Sequence, residues 1–193
     1  MKNGYEQSDL ECAVRVLRAG GILLYPTDTV WGIGCDATNS KSVQKIFALK
    51  RRSDAKSMLV LVGGESELSR YVDVPEAAQQ LLDVADESRP MTIIYPNASG
   101  VAEELIAEDG SLGIRVSHES FSKALCEKLG KPIVSTSANI SGEPTARYYG
   151  EISEAIKSGV DYICKYRQED CTVHKPSSII KVEKDNRFVI IRA

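Results

Sequence analysis

Residues 135–141 carry a dense run of hydroxyl and amide side chains, Ser-Thr-Ser-Ala-Asn-Ile-Ser. The run follows the apolar pair Ile133 and Val134, which is typical of a buried strand, and it is followed by Gly142. A turn seldom needs so many hydrogen-bonding side chains, whereas a site for a polar ligand does. The run therefore predicts a ligand-binding site beyond the end of a strand.

A second polar segment, Pro-Thr-Asp-Thr-Val-Trp-Gly at residues 26–32, comes directly after the apolar run at residues 22–25. Thr27, Asp28 and Thr29 would cluster at the carboxyl end of that strand, where ligands of α/β sheets usually bind. The alternative is an ordinary turn, in which Asp and Thr side chains accept from nearby backbone N–H groups. The residues alone leave both interpretations open.

Four cations lie within the seven residues 50–56 of a chain whose net charge is −3. Lys50, Arg52 and Lys56 could gather around a polyphosphate or a carboxylate, since Arg makes bidentate contacts to oxyanions and Lys supplies a point charge. The alternative is a solvated helix end, because cations favour helix C-termini.

Several other chemistries are disfavoured by spacing. The Gly32-x-Gly34 pair lies too far from the preceding strand for a dinucleotide fingerprint, and Asp36 would place an anion beside the phosphate. No P-loop pattern occurs. Five scattered cysteines without a Cys-x-x-Cys pair predict reduced thiols and no permanent metal site. We interpret His118 as structural.

Alternating strands and helices must position these groups, so we predict an α/β (α+β-like) single domain, residues 1–193, with a twisted mixed sheet flanked by helices. A capping box at Ser8 and Glu11 predicts a first helix that ends at Gly20, and further helices are expected from about 39 to 49, 75 to 85, 119 to 129 and 152 to 156. Strands are expected at 22–25, 30–36, 58–62, 91–95, 112–116 and 133–134, near 162 and 179, and at 188–191 after a turn at 185–186.

The composition is that of an ordinary globular chain, with 42% hydrophobic and 26% charged residues. No apolar run approaches the roughly 20 residues that span a bilayer. The first eleven residues carry four charges and no apolar core of a signal peptide. We therefore expect a cytoplasmic protein without membrane contacts, and the acidic balance disfavours a surface that grips nucleic acid throughout.

Taken together, four segments resemble the YrdC family and follow its order. They are Pro-Thr-Asp-Thr-Val-Trp-Gly at 26–32, Lys-Arg-Arg-Ser-Asp-Ala-Lys at 50–56, Gly-Ile-Arg-Val at 113–116 and Ser-Thr-Ser-Ala-Asn-Ile-Ser-Gly at 135–142. The resemblance extends over nearly the whole chain. Longer relatives append a second C-terminal domain, and we expect the single-domain form here.

The resemblance implies an enzyme that converts L-threonine, bicarbonate and ATP into L-threonylcarbamoyl-adenylate and pyrophosphate. Mg²⁺ would accompany ATP, bound mainly through the phosphates. A partner transferase would place the threonylcarbamoyl group on adenosine 37 of tRNA. The alternatives are a non-catalytic double-stranded-RNA or ribosome-binding module, which the acidic charge disfavours, and carbamoyl-phosphate chemistry as in hydrogenase maturation. We expect any direct RNA binding to be weak.

By motif, the resemblance assigns residues to two ligands and assigns no nucleophile. L-threonine would be held by Thr29, Arg115, Ser135 and Ser178. ATP would be held by Arg52, Lys56, Ser111, Ser137, Asn139, Thr145 and Arg192. Lys50 and Arg52 would act electrostatically, by neutralising charge as pyrophosphate separates.

Three departures from the family pattern accompany the resemblance. Ser57 stands where relatives often have Pro, and Leu61 stands where some have a His near threonine. The usual Pro-Gly-Pro-x-Thr is Ser-Arg-Pro-Met-Thr at residues 88–92. None of the three removes a cation that could bind phosphate.

Overall fold

A mixed β-sheet forms the centre of the molecule in the computed structural model, which describes residues 4–51 and 58–193. The strands are β1 (Leu23–Tyr25), β2 (Gly32–Gly34), β3 (Leu59–Val62), β4 (Met91–Tyr95), β5 (Leu112–Val116), β6 (Ile133–Ser137), β7 (Tyr162–Ile163), β8 (Ser178–Val182) and β9 (Phe188–Arg192). Their order across the sheet is β7-β1-β2-β6-β3-β5-β4-β8-β9. The pairs β1·β7, β3·β5 and β4·β8 are parallel and the others are antiparallel. The predicted mixed sheet is confirmed.

Helices cover both faces of this sheet. The α-helices are α1 (Gln7–Arg18), α2 (Ser40–Lys50), α3 (Glu76–Leu82), α4 (Ser120–Leu129) and α5 (Glu154–Lys157), and 3₁₀ turns lie at Glu65–Arg70, Glu103–Leu105 and Tyr149–Glu151. In the parts of the chain that the structure describes, none of the helices has the length and apolar character required to cross a bilayer.

The alternation of side chains along each strand separates two apolar clusters. Leu23 and Tyr25 of β1 pack with α1 and α4, whereas Leu24 between them packs in the cluster that contains α2 and α3 residues. Leu61 and Val62 of β3 divide between the two clusters in the same way. Successive strand residues point to opposite faces, so the sheet is the middle layer of three.

The face that carries α1 and α4 is only partly covered by them. Its apolar cluster contains Leu61 and Ile133, one residue each from β3 and β6. Further along those two strands the same face carries Leu59 and Ser135, and β5 contributes Arg115 two positions from Gly113. The polar side chains of the central strands therefore emerge where the helical layer ends.

Several predicted boundaries change in the structure. The capping box expected at Ser8 is wrong, because α1 begins at Gln7 with Glu6 at the N-cap and no side-chain cap. The helix expected to reach residue 85 ends at Leu82. Strand β6 does not stop at residue 134 but continues to Ser137, so the polar run begins inside the sheet.

The predicted C-terminal hairpin is confirmed, with Asn186 at φ 65° in the turn between β8 and β9. Asn readily adopts this left-handed conformation, which explains the position of the turn. Strand β9 lies at the edge of the sheet, and its residues 188–191 are exposed. The hairpin places Arg192 opposite Ile179, close to the start of β8.

A buried carboxylate, Asp9, attaches α1 to the segment after β7. Its Oδ1 accepts from the Tyr162 hydroxyl at 2.7 Å. Its Oδ2 accepts from the backbone N–H groups of Lys165 at 2.9 Å and Tyr166 at 3.1 Å. Because Asp9 is only 3% exposed, loss of this acceptor leaves three donors at partly buried positions without this partner.

We expect Asp9→Ala to lower the free energy of unfolding by about 2 kcal/mol, since three partly buried donors lose a charged acceptor. Urea denaturation followed by circular dichroism measures the change. The matched control is Glu11→Ala on the same helix, whose ion pair with Lys128 is exposed and should contribute less than about 1 kcal/mol. Equal losses in the two variants would contradict the structural role of Asp9.

Candidate active site

A cavity of about 1050 Å³ lies over the uncovered part of the sheet. Its floor is formed by alternate residues of four adjacent strands, and its walls are formed by the loops around the sheet. The floor residues are Leu59 of β3, Thr92 and Ile94 of β4, Gly113 and Arg115 of β5, and Ser135 and Ser137 of β6. A regular floor of this kind is a direct result of strand alternation.

Seven of the predicted site residues line this one cavity: Thr29, Ser111, Arg115, Ser135, Ser137, Thr145 and Arg192. Among the described residues that were predicted, Lys50, Asn139 and Ser178 do not line it. Arg52 and Lys56 lie outside the described residues, as does Ser57. The cavity therefore unites seven of the ten described residues that were predicted for the site, from both the threonine-binding and the ATP-binding sets.

The loop between β1 and β2 satisfies both interpretations of the Pro-Thr-Asp-Thr segment. The Thr27 hydroxyl donates to the carbonyl of Val30 at 2.7 Å and accepts from the N–H of Thr29 at 3.1 Å, as in an ordinary polar turn. Both threonines also line the cavity. Gly32 widens it, because a Cβ there would lie 3.3 Å from the Ser135 Oγ.

Arg115 and Asp28 form a buried ion pair behind the cavity wall. Arg115 Nε lies 3.1 Å from Asp28 Oδ1, and the two side chains are 4% and 0% exposed. The pair is close but not aligned as a hydrogen bond, and within the described chain neither oxygen of Asp28 has a hydrogen-bond partner. Arg115 lines the cavity, whereas Asp28 lies behind it.

The structure gives Lys50 a different placement from the one predicted. Its side chain is 1% exposed, and its ammonium donates to the carbonyls of Ser137 at 2.5 Å and Asn139 at 2.7 Å. The N–H of Ser141 in turn donates to the Lys50 carbonyl at 3.0 Å. These contacts join the end of α2 to the polar run, so Lys50 positions Ser137 instead of facing the cavity.

Asn139 also shapes the polar run from outside the cavity. Its Nδ2 donates to the carbonyls of Ile140 at 3.0 Å and Glu143 at 2.7 Å. These bonds close the turn that follows β6. They support the loop leading to Thr145, and the expected contact of Asn139 with ATP stays a prediction.

Ser178, which was predicted to bind threonine, does not line the cavity, whereas its neighbour Ser177 does. Ser177 and Ile179 line the cavity, and Ser178 between them points away because strand neighbours alternate. The Ser177 hydroxyl lies 3.0 Å from the Thr92 hydroxyl, and Arg192 Nη2 donates to it at 3.3 Å. Arg192 Nε also donates to the carbonyl of Ser177 at 2.9 Å.

Comparisons with known proteins agree with this architecture. The sequence pattern of the family Sua5/YciO/YrdC, described as "Telomere recombination", matches residues 15–193. The chain belongs to the Sua5/YciO/YrdC family. It is 34% identical over 155 residues to a threonylcarbamoyl-AMP synthase of Xanthomonas campestris, covering 79% of this chain and 83% of that relative.

Two solved structures of the Sua5/YciO/YrdC family share the fold. Escherichia coli YciO matches with a TM-score of 0.81 and 27% identity over 97% of this chain and 89% of that one. Sua5 of P. abyssi, in a crystal structure complexed with L-threonine, matches with a TM-score of 0.80 and 23% identity. That match covers 92% of this chain and 52% of the Sua5 chain, so this chain spans about half of that relative's length.

The departures from the Sua5/YciO/YrdC pattern have local structural explanations. Leu61 is fully buried in the apolar cluster beneath α1 and α4. Ser88 and Arg89 form a turn around Asp86, whose Oδ1 accepts from both backbone N–H groups at 2.9 and 3.0 Å. Strand β4 then begins at Met91, so the altered turn still delivers Thr92 to the cavity.

Sequence reasoning missed some cavity residues in this member of the Sua5/YciO/YrdC family. Thr92 could have been found, because it alternates with Ile93 of the apolar core. His174 had no local signal, since it lies in a segment without regular structure. Its Nε2 is 2.7 Å from Arg167 Nη2, and Arg167 Nη1 donates to the carbonyl of Thr27 at 3.1 Å. A distant segment thus supports the loop after β1.

Asp109 places a permanent negative charge on the cavity wall. Hydrogen bonds from Lys181 and then from Ser111 lower the pKa of Asp109 to about 2. The Ser111 hydroxyl donates to this carboxylate at 2.6 Å. Because its proton is used in that bond, Ser111 faces a ligand mainly as an acceptor at neutral pH.

We expect Lys50→Met to lower the free energy of unfolding by about 2 kcal/mol, because two buried carbonyls lose a charged donor. Urea denaturation measures this change. The matched control is Lys45→Met on the same helix, whose ammonium donates to the Gly20 carbonyl at an exposed position. A Lys50→Met chain that is as stable as the Lys45→Met chain would contradict the positioning role.

Proposed function

We propose that this chain is an L-threonylcarbamoyladenylate synthase, which forms threonylcarbamoyl-AMP and pyrophosphate from L-threonine, bicarbonate and ATP. The observation that carries the proposal is that Arg115, Ser135 and Ser137 share one cavity with Thr145 and Arg192. Its volume, about 1050 Å³, is at the upper end of ligand pockets and suits a nucleotide beside an amino acid. The relative from X. campestris bears the name of this activity.

L-threonine would bind at the β1–β2 loop and the adjoining floor. The guanidinium of Arg115 is the cation for its carboxylate, and the hydroxyls of Thr29 and Ser135 are neutral partners for its amine and side chain. The crystal structure of P. abyssi Sua5 complexed with L-threonine supports this choice of amino acid. Ser177 takes the place that the sequence assigned to Ser178.

ATP would bind over Ser137, Thr145 and Arg192, with Arg52 and Lys56 as further phosphate-binding cations. Mg²⁺ accepts hard oxygen donors and would be held mainly by the phosphates, with the hydroxyls of Ser137 and Thr145 at hand. The ion would neutralise phosphate charge. The role proposed for the arginines is to donate N–H groups to phosphate oxygens, which would orient the α-phosphorus toward the amino acid; for Arg192 this would replace the bonds that it donates to Ser177.

The chemistry needs positioning more than a protein nucleophile. The ammonium group of threonine first releases a proton to solvent. The resulting neutral amine attacks the carbon of bicarbonate, and loss of water gives the carbamate. A carbamate oxygen then attacks the α-phosphorus of ATP, and the bond to pyrophosphate breaks. Holding the two reactants together lowers the barrier, and the cations stabilise charge as pyrophosphate departs.

The product would be consumed by a transferase that acts on adenosine 37 of tRNA, and we place both steps in the cytoplasm. A non-catalytic RNA-binding role is less well supported, because phosphate-backbone binding favours a broad cationic face and the net charge is −3. A cavity with mixed polar and apolar walls is better suited to small ligands.

The test is an incubation of the purified chain with labelled bicarbonate, MgATP and L-threonine. We expect pyrophosphate and labelled threonylcarbamoyl-AMP in equal amounts, and neither product when threonine or bicarbonate is omitted. L-serine in place of L-threonine measures the amino-acid preference. Nucleotide hydrolysis without the adenylate, or RNA binding without any turnover, would overturn the proposal.

Arg52→Ala tests the electrostatic step within the same assay. We expect adenylate formation to fall by about 100-fold or more, because a cation opposite the departing pyrophosphate is lost. The melting temperature should stay unchanged. Lys41→Ala, which removes an exposed cation of α2, is the control and should keep full activity. An Arg52→Ala chain as active as this control would exclude Arg52 from the reaction.

A further inference from the structure

The buried Asp28–Arg115 pair places a negative charge directly beside the cation at the Arg115 end of the cavity. Arg115 is the floor cation that faces the ligand, yet a fully buried carboxylate lies 3.1 Å from its Nε. Asp28 does not line the cavity itself, so it acts on a ligand without contact, through its electrostatic field and its pairing with Arg115. The pair as a whole has no net charge.

Burial makes this neutralisation strong. Both side chains are shielded from water, at 4% and 0% exposure, so their charges are weakly screened by solvent. Neither Asp28 oxygen has a hydrogen-bond partner elsewhere in the described chain, so its negative charge is not dispersed onto other donors. A carboxylate ligand at Arg115 therefore meets the field of a cation and an anion together.

This arrangement discriminates between two kinds of carboxylate ligand. A simple anion at Arg115 is attracted by the guanidinium and repelled by Asp28 behind it. A zwitterionic α-amino acid carries its own cation two bonds from its carboxylate carbon, and that cation is favoured by the field of Asp28. Like charges brought together at a desolvated site are strongly disfavoured, so the difference is reflected in affinity.

We propose that Asp28 is a positioning and specificity-determining residue that makes the Arg115 subsite select α-amino acids over carboxylates without an amine. The inference rests on the proposed function for the choice of L-threonine as ligand. It assigns a role to a residue that contributes no atom to the cavity wall. It also explains why a carboxylate is retained beside the cation that must bind another one.

The experiment measures the binding of L-threonine and of its deaminated counterpart, 3-hydroxybutanoate, to the full chain. Trp31 is the single tryptophan of the sequence and lines the cavity, so its fluorescence reports binding. We expect the unaltered chain to bind threonine about 10-fold or more tightly than the deaminated acid. Equal affinities in the unaltered chain would overturn the proposal without the need for any variant.

Asp28→Asn then removes the charge and keeps the shape. We expect the deaminated acid to bind this variant several-fold more tightly than it binds the unaltered chain, while threonine binds more weakly. A gain of affinity for one ligand is a result that structural damage does not produce. Parallel loss of both ligands would overturn the proposal and leave Asp28 with a purely structural role.

The matched control is Asp36→Asn, which removes another buried carboxylate with a cationic partner, Lys131, away from the cavity. We expect it to leave the ratio of the two affinities unchanged. If a different α-amino acid shows the discrimination and threonine does not bind, the proposed substrate is wrong and the role of Asp28 stands. If threonine supports adenylate synthesis without discrimination, only the role of Asp28 fails.

Discussion

One face of the central sheet is covered by helices over only part of its area, and the site follows from that incomplete coverage. Helices α1 and α4 pack on Leu61 and Ile133, and beyond them the same strands present polar residues. Since strand residues alternate between faces, Ser135 and Ser137 of β6 must lie on the same face of the sheet as Arg115 of β5, with β3 between the two strands, once the three are paired in register. The cavity floor is therefore fixed by strand pairing, and the loops only complete its walls.

Much of this arrangement could be predicted from the sequence, because apolar periodicity and turn residues report the strands directly. The mixed sheet, the C-terminal hairpin and the shared cavity of Thr29, Ser135 and Ser137 follow from local pattern and motif. The burial of Lys50 could not be predicted, since it depends on carbonyl groups 87 and 89 residues away. Whether Ser177 or Ser178 faces the cavity depends on the residue at which the side-chain alternation of β8 begins. No local sequence signal determines that residue.

Buried charges connect the outer parts of the fold to the cavity. Lys50 donates hydrogen bonds to carbonyls at the end of β6, and Asp28 forms an ion pair with Arg115 without lining the cavity. In each case an ionised side chain that a ligand does not touch determines where a ligand-facing group lies. Charged residues at the edge of a site are therefore not all contacts to the ligand, and their burial distinguishes the two roles.

Strand β6 is paired with a neighbouring strand on each side, and this pairing affects the entropy of ligand binding. Main-chain hydrogen bonds to β3 and β2 fix Ser135 and Ser137 before any substrate arrives. The rotational freedom of this backbone is lost when the sheet folds, so little remains to be lost when a complex forms. The entropic penalty of ordering this backbone is therefore incurred once, when the chain folds, and not in each catalytic cycle.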